Sequence, residues 1–391
     1  DGLVLTYSYT TGNLTKVSYS TSPATSQSYL YEDTNFPNAL TGIIDENGNR
    51  FATWTYVPGT ALTLAASSQH AGGADLTQVA YESIFHHGNA TVTYPLGLQE
   101  VYMNGSPGSS KIEEIDRLGT TAVRKFRFDS NGYFASRTDW NGNLTTFVNN
   151  ARGLPKTITE AAGTPLARTT TTAWHPTFHL PAQITEPKRT TAFTYDANGN
   201  VLTKKITAGA LTRSFAYTYN ATGEVLSATD PRGNVTQYTY DAQGNLTSVT
   251  DALGHVTNLT SYDGAGRPLT IVDPNGVTTS LTYDPRGRLT SQMVATLKTT
   301  YDYDAAGNLI RVTQPDNSFL IYTYDQAHRL TKIKDAVGDH IAYTRDAAGN
   351  RIKEQVFDPS NHLTQTHSSA YSALNRLKKT IGAEGQTTSY A

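Results

Sequence analysis

The feature that most restricts what this chain can fold into is a repeat. Tyr238-Thr-Tyr-Asp-Ala-Gln-Gly-Asn-Leu246 returns as Tyr301-Asp-Tyr-Asp-Ala-Ala-Gly-Asn-Leu309, with looser copies at 193–201 and 217–225. The Tyr preceding Asp or Asn stands at 195, 219, 240, 262, 283, 303 and 324, at spacings of 24, 21, 22, 21, 20 and 21 residues. Inside this period runs a shorter one. Asp-x-x-Gly, with Asn at times replacing Asp, begins at 220, 230, 241, 251, 263, 273 and 284, in steps of 10, 11, 10, 12, 10 and 11. Repeat arrays lengthen without adding separate cores, so 391 residues do not here imply two or three domains.

The shorter motif is turn chemistry. An Asp or Asn carboxylate or amide oxygen bonds the backbone two residues on and favours a type I turn. Gly three positions later supplies the left-handed residue that reverses the chain. Where that Gly is missing, Asn317, His328, Asn361 and Asn375 stand in its place. Asn and His are among the few side chains that tolerate positive φ, so the substitutions keep the geometry. Positive φ is therefore expected at Gly244, Gly307 and their counterparts.

A turn every ten or eleven residues leaves room for a strand of about six. Thr236, Tyr238 and Tyr240 fall on one side of such a strand, and Val235, Gln237 and Thr239 on the other. The fold class is thus all-β: a wide antiparallel meander of repeated hairpins. Over the whole chain this gives roughly thirty strands, where a twisted open sheet of more than ~10 must curl or split. A wall curling into a spiral or tube is expected. Only 37% of residues are hydrophobic, but Thr and Tyr pack well on a pleated surface.

The pattern weakens in two places. Residues 57–111 are irregular and include Pro58-Gly59, Ala71-Gly72-Gly73 and Pro107-Gly108-Ser109-Ser110. Between 155 and 190, Pro155, Pro165, Pro176, Pro181 and Pro187 are expected to interrupt strands and lengthen loops on the same sheet. Ile112–Leu118 comes nearest to helical periodicity and is short.

Composition removes several functions. A net charge of −2 leaves no electrostatic footprint for nucleic acid or anionic membrane. Without cysteine there are no disulfides, thiolate metal sites or thiol nucleophiles. No membrane span or lipidation motif is visible. Asn143-Leu-Thr145 and Asn245-Leu-Thr247 match glycosylation sequons only because the repeat contains Gly-Asn-Leu-Thr.

No catalytic, cofactor-binding or metal-binding residue is assigned. Acid–base catalysis needs two converging carboxylates of separated pKa, whereas these Asp recur at every turn and read as caps. One Asp per turn supplies too few oxygens for calcium. His86-His87 falls in an expected loop. His175 and His179 are four apart, but Pro176 keeps them off one helix face. No phosphate loop, zincin motif or nucleophile elbow occurs. The Tyr stripes could stack on sugars, although strand Tyr more commonly packs.

These repeats resemble those of the Rhs/YD-repeat family of bacterial polymorphic toxins. A second block, Tyr31-Glu-Asp, Phe36 to Arg50 and Phe51-Ala-Thr-Trp-Thr-Tyr56, carries the same resemblance. It implies a hollow β-shell enclosing a C-terminal toxin domain, as in insecticidal toxin complexes and type VI secretion effectors, with animal teneurins sharing the repeat. It also implies partners: the enclosed toxin, flanking shell or plug domains of the same protein, and secretion machinery. Shells of this kind often end in a self-cleaving Pro-x4-Asp-Pro-x-Gly-Leu or -Trp motif. Pro268 to Val277 matches most of it, yet Asp273 and Gly276 lie in phase with ordinary turns and Val277 replaces Leu or Trp. Asp230-Pro231-Arg-Gly233 and Asp284-Pro285-Arg-Gly287 are repeat turns too. No self-cleavage is expected here.

The expectation is a structural, non-enzymatic shell region spanning 1–391, secreted, at the cell surface or injected. A cell-surface carbohydrate-binding or adhesive repeat protein is the alternative. The side of the sheet on which the Tyr rings are used separates the two. Gly385 to Ala391 aligns with Gly233 to Thr239 and breaks off inside a strand, so a fragment of a larger protein is expected.

Overall fold

The structure is a computed structural model that describes residues 2–60, 63–82, 88–105 and 111–390. Thirty-five strands fill these residues, joined by turns and by one short 3-10 segment, Ala71–Gly73. Successive strands pair antiparallel: Val235–Tyr240 with Leu246–Thr250, and that strand in turn with Val256–Tyr262. The all-β meander expected from the turn spacing is present.

The chain groups into two compact units, one of residues 1–102 with 280–391 and one of residues 103–279. Both are built from the same hairpin. In the first unit Tyr322 lies opposite Ile333, and Ile333 opposite Ile341, while the next residues along, Thr323, Lys332 and Ala342, line the other side. In the second unit Tyr238 lies opposite Val249, and Leu259 opposite Ile271. On its other side hydroxyls pair across strands, Thr239 with Ser248 at 2.6 Å and Thr218 with Ser227 at 2.7 Å. Each unit therefore has an aromatic and aliphatic face and a hydroxyl-rich face.

Packing follows from having one layer. Among the described residues, the buried apolar side chains are only Val17, Ala52, Ala74 and Ile115. The accessible surface is 22836 Å², against about 15,000 Å² for a two-layer globule of this mass. Half-buried side chains on a pleated wall replace a conventional core.

The irregular stretches are more regular than their sequence. Pro155 and Pro181 each open a strand, Pro155–Glu160 and Pro181–Glu186, while Pro165, Pro176 and Pro187 sit in turns. No strand there is interrupted, because a first position needs no ladder N–H from proline. Ile112–Arg117 is a strand as well. Within 57–111 the strands are Ala65–His70, Ala74–Tyr81, Ala90–Thr93 and Gln99–Asn104. His86-His87 and Pro107-Gly108-Ser109-Ser110 lie outside the described residues.

Candidate functional site

The site is the wall itself, and its smallest part is the turn. In Asp241–Asn245 the Gly244 N–H donates to the Asp241 carbonyl at 3.1 Å, and the Asp241 N–H to the Asn245 carbonyl at 2.9 Å. Asp241 Oδ1 accepts the N–H groups of Gln243 and Asn245 at 2.9 and 2.8 Å. Gly244 has φ 86° and Gly307 φ 103°; Asn317, His328, Asn361 and Asn375 have φ 66°, 57°, 65° and 61°. The turn assignment and its four exceptions are borne out.

A fifth turn position matters equally and was not read from the sequence. Asn245 Nδ2 donates to the second Asp241 oxygen at 2.9 Å. Arg267 and Arg329 do the same through Nε at 2.6 and 2.8 Å, and His255 through Nδ1 at 2.9 Å. Where Asn220 opens the turn, its amide donates instead to Glu224, so the two polarities swap together. Hydrogen bonds from the Asn245 side chain and backbone hold the Asp241 carboxyl below the ordinary Asp range. The Asn143 side chain lowers Asp139 similarly, and the Asn234 side chain lowers Asp230.

The next level up is a tie between strands. The repeat Tyr residues at 195, 219, 240, 262, 303 and 324 sit at β-bulges, as between Thr239 and Tyr240 or Thr323 and Tyr324, and a bulge re-aims the side chain beside it. Tyr240 OH donates to the Val225 carbonyl at 2.9 Å, Tyr324 OH to Leu309 at 2.9 Å, and Tyr195 OH to Pro181 at 2.7 Å. Other donors take over where Tyr is absent. Trp174 Nε1 reaches Pro155 at 3.0 Å, Asn149 Nδ2 reaches Phe134 at 2.8 Å, and Arg345 Nε reaches Leu330 at 3.3 Å. Burial raises the phenols of Tyr195, Tyr240 and Tyr324 above their usual value. The phenols are therefore joints of the wall and not an open aromatic platform.

The third level is a seam inside the first unit, between residues more than 200 positions apart. The turn Asp45–Asn49 docks on the row of turns that begin at Asp284, Asp304 and Asp325. Asp45 is 2% exposed; one of its oxygens caps the Asn49 N–H at 2.7 Å and the other meets His328 Nε2 at 2.8 Å. Glu46 pairs with Arg286 at 2.8 Å, and that guanidinium lies 4.5 Å over the Tyr19 ring. Asn47 Nδ2 donates to Asp304 at 2.9 Å. Phe51 stacks on His328 at 4.5 Å, and the Asp75 N–H donates to the Ala347 carbonyl at 2.7 Å. A polar cavity of about 200 Å³ lies beside it, lined by Asn47, Asn49, Asp304 and Asn308.

Two family models match the turn-bearing part of the chain: RHS Repeat over residues 219–256 and Teneurin YD-shell over residues 254–390. The chain belongs to the Rhs/YD-repeat family. Among solved structures, the Rhs/YD fold of this chain is similar to the crystal structure of TcdB2-TccC3, at 18% identity and TM-score 0.70, covering 96% of this chain and 23% of that one. It is similar also to TcdB2-TccC3-Cdc42, at 17% identity and TM-score 0.67, covering 95% and 22%. A third likeness is to the Photorhabdus luminescens Tc holotoxin pore, at 18% identity and TM-score 0.68, covering 96% and 22%. At such identities the likeness is one of fold, and the chain spans under a quarter of the length of those chains. No curated protein matches by sequence.

Four of the described histidines of this Rhs/YD chain fall into structural places. His175 replaces the turn Asp: its Nδ1 accepts the N–H groups of Thr177 and Phe178 at 3.2 and 3.1 Å. His255 and His362 are fifth-position donors, and His328 belongs to the seam. Asp273 caps Asn275 and Val277 at 2.9 and 2.8 Å, the geometry of an ordinary turn. Among the described residues, no helix is long and apolar enough to cross a membrane.

Proposed function

We propose that this Rhs/YD chain is wall material: part of a shell that encloses a C-terminal toxin domain of a secreted or injected bacterial polymorphic toxin. The observation that carries the reading is the use of the repeat side chains. Asp, Gly and a fifth-position donor close the repeat turn, as at Asp241–Asn245, and the repeat Tyr ties every second strand to the one before it. The recurrent polar groups thus serve the wall. A one-layer sheet with an aromatic and aliphatic face suits a container better than a catalyst, and a structural, non-enzymatic role follows.

Both units carry the same hairpin, and we read residues 1–391 as one repeat region of a larger protein, secreted or displayed at the cell surface. The fold shared with TcdB2-TccC3 supports a toxin setting. Protease protection tests the enclosure. The natural polypeptide, with everything its gene encodes around these residues, is treated with a nonspecific protease before and after denaturation. The toxin domain is expected to survive at least tenfold longer in the native protein. Equal cleavage rates would reject enclosure.

A further inference from the structure

The row of turns that receives Asp45–Asn49 has a registration problem. Its members begin at Asp284, Asp304, Asp325 and Asp346, at spacings of 20, 21 and 21 residues, and all share one backbone geometry. To the backbone alone, each is as good a seat as the next. A slip of one repeat moves the docked turn by two strand widths, about 10 Å. Shared among the many strands that separate the two segments in sequence, that shift asks under about 1 Å of each, within the range over which sheet twist varies. The repeat therefore leaves the register of the seam open.

Three side chains distinguish the seats. Arg286 occupies the third position of the first turn, Asp304 opens the second, and His328 replaces glycine at the fourth position of the third. Each meets a different chemistry on one docking turn: Arg286 takes the carboxylate of Glu46, Asp304 the amide of Asn47, and His328 the carboxylate of Asp45. Glu46 and Asp45 are 6% and 1% exposed at their side chains, so losing a partner strands a buried charge. Slipped back by one repeat, Asp45 would face Gly307, which has no side chain to offer.

We propose that Arg286, Asp304 and His328 read Glu46, Asn47 and Asp45 as a register lock, which fixes the repeat on which each turn of the earlier segment docks. His328 is its central specificity residue. The lock rests on the seam alone, whatever the wall encloses.

The absence of cysteine makes the test clean. Asp75→Cys with Ala347→Cys reports the native register, where the two backbones touch at 2.7 Å. Asp75→Cys with Gln326→Cys reports a slip of one repeat. On mild oxidation the first pair should bridge at least tenfold more than the second. The decisive variant moves the imidazole: His328→Gly together with Gly307→His. Both positions have positive φ, 57° at His328 and 103° at Gly307, and a Cβ at 307 meets no atom closer than 3.6 Å, so the exchange asks only for a shift of φ at 307 toward the left-handed value that His tolerates. The 75/326 bridge should then rise at least tenfold, and more when Glu46→Gln is added. An unchanged 75/326 yield in the relocated-histidine chain would overturn the lock. Equal bridging of both pairs in the otherwise unaltered chain would overturn it too.

Discussion

Where Asp heads the turn and Asn, Arg or His holds the fifth position, one carboxylate does three jobs: it caps two N–H groups and receives a side-chain donor four residues on. All three contacts are stronger with the ionised form, and the side-chain donor needs the second oxygen free of its proton. Asp129, Asp139, Asp196, Asp230, Asp241, Asp251 and Asp358 all titrate below the ordinary Asp value, for hydrogen-bonding reasons. A carboxyl depressed in the folded state stabilises above its unfolded pKa, near 4, and that contribution is lost as pH falls through the lower folded value. Stability in urea should therefore be flat from pH 7 to about 5 and then fall steeply below about 4, through many turns together. A midpoint that declined evenly from neutrality would contradict this. At the fourth position, Gly244→Ala should cost about 1 kcal/mol for a left-handed Cβ, while Asn317→Gly should be neutral or mildly stabilising. Urea midpoints of the two variants check the pair.

At the scale of the hairpin, sequence and structure part company in an instructive way. Turn spacing, glycine conformation and strand alternation were legible because each depends on residues within ten positions of one another. The fifth-position donor was equally local and could have been found: Asp with Asn, Arg or His, but Asn220 with Glu224, is a swap of polarity visible in the sequence. The Tyr tie was hidden because its acceptor is a backbone carbonyl on the preceding strand, which no residue identity reveals. The prolines of 155–190 misled because proline breaks a ladder only where an N–H is needed, and two of them stand first in their strands. The seam pairs residues 240 to 283 positions apart, beyond any local signal. Tyr324→Phe should cost about 1 kcal/mol by leaving the Leu309 carbonyl without its donor. Arg345→Tyr, which restores the usual donor to the Leu330 carbonyl, should cost less than 0.5 kcal/mol or nothing. Equal losses for the two, measured by urea unfolding, would show that the tie contributes little.

For the molecule as a whole, a one-layer wall changes what cooperativity means. Strands contact mainly the strands before and after them, so stability approximates a sum over neighbours. Asp241→Ala in the second unit should raise amide hydrogen exchange in Val235–Tyr240, Leu246–Thr250 and the strands next to them, while leaving Leu309–Thr313 and Phe319–Tyr324 of the first unit unchanged. Uniform loss of protection across both units would point to an all-or-none core that the burial pattern does not contain. The central claim is that this wall encloses something. A cryo-electron microscopy map of the natural full-length protein tests it most directly. It should show a wall one sheet thick around a cavity, with density inside that residues 1–391 do not account for. A solid particle without a cavity, or an empty cavity with the toxin domain visible outside the wall, would contradict it.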